Sequence, residues 1–87
     1  MVKMFIRHSV ADFAKWKVVY DQHEHIRKQF SCTKAEVFIN SQNPNDVLLV
    51  HQHDNKEQAI KFTQSPDLKE AMAKAGVTNA PVFEFSE

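Results

Sequence analysis

Two short runs, Val37-Phe38-Ile39 and Val47-Leu48-Leu49-Val50, stand either side of the segment QNPND. Apolar residues fill consecutive positions in each, and successive strand side chains point to opposite faces, so both runs read as strands that are apolar on both sides. Pro44 pre-sets a turn between them, and Asn45 or Asp46 can close it. Strand two (Thr33 to Ser41) and strand three (DVLLVHQH) therefore form a β-hairpin. A sheet built on this hairpin has two apolar faces to cover, and the chain has only 87 residues with which to do it. Folding a chain this short buries roughly 60–65% of its unfolded surface, which leaves little stability to spare.

The remaining elements follow from period and punctuation. Val2 to His8 is β-branched and aromatic without helical period and reads as a first strand. Asp12 is an N-cap for a helix that the spacing extends about five turns to Phe30, with Lys17/Asp21 and Glu24/Lys28 paired on its solvated side. Asp54 with Glu57 has the spacing of a reciprocal cap and opens a short helix to about Gln64, with Ala59, Ile60 and Phe62 buried. Ser65-Pro66 breaks and restarts it as DLKEAMAKA, which Gly76 ends in a left-handed cap with Val77 folding back. PVFEF is the fourth strand. The order β-α-β-β-α-β in one α+β domain, residues 1–87, is the ferredoxin-like arrangement of an antiparallel sheet with helices on one face. Two helices cover one sheet face only. Phe5, Phe38 and Phe83 add to the apolar surface of the hairpin, so the uncovered face is expected to meet a second copy and give a homodimer packed sheet to sheet.

Composition removes several functions. Eleven Lys plus Arg balance eleven Asp plus Glu, leaving no basic footprint for nucleic acid or an anionic membrane. No apolar run is long enough to span a bilayer, and the N-terminus VKMFIRH is no signal peptide. The lone Cys32 has no internal disulfide partner, which fits a cytoplasmic location. Gly76 is the one glycine, so no phosphate-cradling loop, dinucleotide fingerprint or nucleophile elbow can be written. No nucleotide cofactor is expected.

In the blocks DFAKWKVVYDQHEHIRK, NPNDVLLVHQHDN, AIKFTQSPDLKEAMAKAGV and PVFEF the chain resembles the dimeric α/β-barrel superfamily, in particular the small antibiotic-biosynthesis-monooxygenase-like and stress-responsive barrel proteins. The match spans nearly the whole chain. It implies a dimer and a ligand cavity between helices and sheet, and it covers uses from cofactor-free oxygenation and cyclisation to haem binding. Strand three departs from the pattern: His51-Gln52-His53 stands where relatives often carry aromatic and acidic residues.

The stripe of the first helix runs Phe13, Trp16, Tyr20, His23, Arg27, Phe30, with two polar residues in a face that should be core. On the functional reading they face a cavity. His23 then acts as general acid-base or ligand anchor, and Arg27 holds an anionic group or oxyanion, because imidazole titrates near neutrality and guanidinium is always charged. The structural alternative is a core histidine bonded to backbone, with Arg27 reaching a carboxylate. Trp16 and Tyr20 are core residues or pocket wall. His51 and His53 share a strand face about 6.6 Å apart and belong either to the ligand wall or, with a third ligand from His8 or His23, to a metal site. No metal is expected, because no cysteine or carboxylate is spaced along the chain to complete a tetrahedral set. His23 and His25 lie some 200° apart on a helix and cannot chelate together. Cys32 reads as a small apolar filler without a histidine partner. The sequence thus supports a homodimer binding a small hydrophobic or aromatic ligand, as a cofactor-independent monooxygenase, cyclase or isomerase. The alternatives are a non-catalytic binding or stress-related protein, and a haem or metal binder through the strand-three histidines.

Overall fold

A computed structural model describes residues Met1–Ser86. The elements are β1 (Val2–Ser9), α1 (Phe13–Gln22), α2 (Glu24–Gln29), β2 (Cys32–Ile39), β3 (Asp46–His53), α3 (Lys56–Thr63), α4 (Pro66–Ala75) and β4 (Val82–Ser86). The four strands form one antiparallel sheet in the order β2-β3-β1-β4, the ferredoxin-like topology expected. Register decides which side chains meet the helices. Val2, Met4, Ile6 and His8 of β1 lie opposite His53, His51, Leu49 and Val47 of β3, and all eight are buried. Trp16, Ile26, Ala59, Phe62 and Ala75 descend on them from the helical layer.

The punctuation behaves as its chemistry requires. Ser65 Oγ accepts from the backbone N–H groups of Asp67 and Leu68, and Pro66 takes the first helical position, so the second helical segment is broken where expected. Gly76 sits at φ 78° with Gly76 N–H to Ala73 O and Val77 N–H to Met72 O, a Schellman ending. Asp12 caps α1 by accepting from Lys15 N–H.

Five expectations are corrected. The first helix is not continuous: it ends at Gln22, His23 takes a non-helical conformation (φ −104°, ψ 20°), and α2 follows. The cause is the His23 ring, whose Nδ1–H donates to Val19 O at 2.7 Å and takes the carbonyl that the residue's own backbone N–H would use; that N–H turns to Tyr20 O instead. The cap of α3 is Asn55, accepting from Gln58 N–H, not the Asp54/Glu57 pair, and Ile60 is exposed while Ala59 and Phe62 are buried. Phe83 lies opposite core-facing Ile6 and turns toward the helices, so it adds nothing to the uncovered sheet face. That face is also less apolar than the runs suggest. It alternates to Lys3, Arg7, Lys34, Glu36, Gln52 and Glu84 around a central stripe of Phe5, Phe38, Leu48 and Val50.

Candidate functional site

Between α1, α2, α4 and the sheet lies a cavity of about 50 Å³. Its wall is mostly apolar and includes Ile6, Val19, Leu49, Phe62, Leu68, Met72 and Phe83, with six polar or aromatic-polar groups among them: His8, Trp16, Tyr20, His23, Arg27 and His51. The stripe that raised the question thus faces this space. The volume holds a few water molecules, at ~10–15 Å³ each by this kind of measure, and falls well below the ~300 Å³ at which pockets for drug-sized ligands begin.

The polar groups are ordered by one another. Trp16, 2% exposed, stacks on Tyr20 at 4.8 Å and leans on His8 at 5.6 Å. The Tyr20 hydroxyl lies 2.9 Å from His51 Nε2. Arg27 lays its guanidinium over the Tyr20 ring at 3.9 Å and donates from Nη1 to Tyr20 O at 2.8 Å. Tyr20 O belongs to the last turn of α1, so Arg27 also closes the helix end that His23 opens. Among the described residues Arg27 makes no ion pair with a carboxylate, contrary to the structural alternative considered for it. Its charge is balanced by a ring face and a carbonyl, and the rest of its donor fork is available to an anion. His23 is bonded to backbone and also lines the cavity: its Nδ1–H is committed to Val19 O, which leaves the lone pair on Nε2.

Burial sets the protonation of the inner pair. It pushes the Tyr20 phenol up to about 12, partly offset by Arg27, and holds the His51 imidazole down at about 3, with the charges of Arg27 and His53 adding to the effect. Tyr20 and His51 are therefore both neutral across the physiological range, and neither is a base of useful strength at pH 7. His8 is likewise lowered by burial, against an opposing pull from Asp46.

The structure brings Trp16, Tyr20, His23, Arg27 and His51 to one cavity. His53 is not among its lining residues. It is fully buried beside the cavity, its ring centroid 6.1 Å from that of His51, with Nδ1–H donating to Phe30 O at 2.7 Å. Three relations were invisible along the chain. His8 lines the cavity with both ring nitrogens lacking a protein partner among the described residues; the sequence weighed it only as a third metal ligand, and nothing marked it as part of the cavity wall. The expected separation of His23 and His25 rests on a continuous helix, and with the break between them their rings stack at 6.1 Å. Cys32 pairs across the sheet with His53, and its thiol lies near both strand-three imidazoles, so it is not the isolated filler the sequence suggested. Ser31, at φ 60°, makes the left-handed turn that swings the chain from α2 into β2 and delivers Cys32 to that place.

Solved structures share this architecture. A provisionally assigned antibiotic biosynthesis monooxygenase from Bordetella bronchiseptica superposes with a TM-score of 0.83 at 14% identity, over 99% of this chain and 94% of its own. SnoaB from Streptomyces nogalater, described as a cofactor-independent oxygenase, gives 0.75 at 10% identity, over 99% and 92%. A provisionally assigned monooxygenase of the same kind from Deinococcus radiodurans gives 0.66 at 17% identity, over 100% and 91%. The chain has the fold of the antibiotic-biosynthesis-monooxygenase structures. That is the fold the sequence resemblance implied. No protein-family model matches the sequence, and no curated protein does. No helix among the described residues is long and apolar enough to cross a membrane.

Proposed function

We propose that this chain is a cytoplasmic, small-molecule-binding homodimer that works as a cofactor-independent oxygenase on a small hydrophobic or aromatic ligand. The observation that carries the reading is the convergence of His23, Arg27, Tyr20 and His51 on a cavity whose remaining wall is apolar. His23 Nε2 supplies the lone pair that takes a proton from an acidic O–H or C–H of the ligand, and Arg27 holds the anion that results. An electron-rich aromatic anion can pass electrons to dioxygen without flavin or nucleotide, and the single glycine leaves no Gly-rich phosphate-cradling loop. SnoaB, which shares the fold, supports the reaction type. Tyr20 and His51 stay neutral and orient the ligand through the hydroxyl and its bond.

The dimer is supported by the stripe Phe5, Phe38, Leu48 and Val50, with charges of both signs around it that a two-fold related copy can match. The cavity's small volume favours a second reading, a non-catalytic binding or stress-related protein in which the polar groups hold water and close the helix break. Oxygen uptake with a panel of polyphenolic aromatics in chelator-treated buffer separates the two. Uptake that is lost in His23→Leu supports the oxygenase. A co-purified small molecule found by native mass spectrometry, with no uptake for any substrate, supports the binding protein; neither result would defeat both.

A further inference from the structure

Behind the cavity, where the ends of β2 and β3 meet, three groups converge that the reading above does not use together. His51 and His53 are 1% and 0% exposed. Each ring has one nitrogen engaged, His53 Nδ1 with Phe30 O at 2.7 Å and His51 Nε2 with the Tyr20 hydroxyl at 2.9 Å. In both rings the other nitrogen, His53 Nε2 and His51 Nδ1, is buried without a protein partner among the described residues. An unpaired buried polar atom is costly, typically ~1–3 kcal/mol, and two of them on rings whose centroids are 6.1 Å apart call for a reason. The reason available here is Cys32: one ligand atom from each of Cys32, His51 and His53 lies within 4.8 Å of the other two.

We propose that Cys32, His51 and His53 bind a single zinc-class divalent cation. One thiolate and two neutral imidazoles are the donor set that such an ion prefers, and three protein ligands leave a fourth position for water. Coordination through the unpartnered nitrogens, His53 Nε2 and His51 Nδ1, would leave the existing hydrogen bonds as the outer-shell arrangement of metal-bound histidines, with a backbone carbonyl for His53 and a hydroxyl for His51 fixing each ring's orientation. A tetrahedral ion with Zn–N ~2.0–2.1 Å and Zn–S ~2.3 Å sets its ligand atoms about 3.3–3.6 Å apart, so side-chain rotations of about an ångström close the set. Cys32 can make that adjustment. It is only half-buried, stands at the end of β2 beside a break in register, and lends its S–H to nothing stronger than Lys34 O at 3.4 Å. It also lines an open groove of about 550 Å³ between the α1–α2 segment and β2, which gives the ion a route in. Binding exchanges the thiol proton, released to solvent, for a sulfur–metal bond.

The site goes beyond the oxygenase reading and is testable apart from it, because Cys32 does not line the cavity. Purified protein stripped with chelator would be titrated with Co²⁺ alone. One equivalent should bind with a thiolate-to-cobalt charge-transfer band, be displaced by Zn²⁺, and raise the melting temperature reversibly on chelator addition. Cys32→Ser should abolish the band, and His53→Gln should weaken binding by about 10-fold or more, with far-UV circular dichroism confirming that both are folded. His23→Leu should leave the cobalt spectrum unchanged, which sets this site apart from the cavity and from the His23/His25 pair. Absence of the charge-transfer band in wild type, or binding that persists unchanged in Cys32→Ser, overturns the proposal. If the variants unfold, a wild-type melting temperature indifferent to stoichiometric Zn²⁺ overturns it equally.

Discussion

His51 should make this protein acid-labile in a way that its carboxylates do not. Burial holds the folded imidazole at about 3, against an ordinary 6.5 in the unfolded chain. As pH falls, the unfolded chain takes up the proton first, so the native state keeps its full stability above 6.5 and loses it progressively between there and about 3. At pH 5 the unfolded ring is almost wholly protonated while the folded ring is not, and linkage gives a loss of about 2 kcal/mol relative to pH 7.5 from this residue alone. His8, lowered by burial as well, acts in the same direction. Urea denaturation at both pH values, at one protein concentration and in chelator, measures the difference, and most carboxylates remain ionised at the lower pH. The matched variant is His51→Gln, which does not titrate and can still meet the Tyr20 hydroxyl. Its stability should fall by about 2 kcal/mol less than wild type over the same interval. Equal pH dependence in the two proteins, or none in wild type, would refute a neutral buried His51.

Three further outcomes are expected. His23→Leu removes the Nδ1–H bond to Val19 O and should cost about 1 kcal/mol in a thermal or urea melt while abolishing ligand binding; unchanged stability would mean that the ring does not shape the helix break. Phe38→Lys places a charge on the central stripe of the uncovered face, where Phe38 is 48% exposed in the single chain, and should turn a dimer into monomer in sedimentation velocity; a monomeric wild type would end the dimer proposal. Gly76→Ala should destabilise by about 1–2 kcal/mol through the left-handed backbone alone, since an added Cβ would stand an ordinary 3.7 Å from Ala11 Cβ; a neutral substitution would show that the cap relaxes.

What the sequence by itself determined was local. Alternation, Ser65-Pro66, Gly76 and the QNPND turn fixed the order of elements and the ferredoxin-like sheet, because each acts through its own backbone and nearest neighbours. The stripe on the first helix also pointed to the cavity wall, since helical period survives even where the helix does not. Tertiary structure decided what depends on competition or on register. The break at His23 arises because a ring and a backbone N–H compete for Val19 O, an outcome that helical spacing cannot register. Phe83 was assignable to a face only once it was known to lie opposite Ile6. Cys32 came beside His53 because β2 and β3 pair antiparallel across the hairpin, which brings together two residues 21 positions apart whose spacing along the chain carries no metal signature. Strand pairing transmits chemistry across the sheet, where sequence distance gives no measure of physical distance.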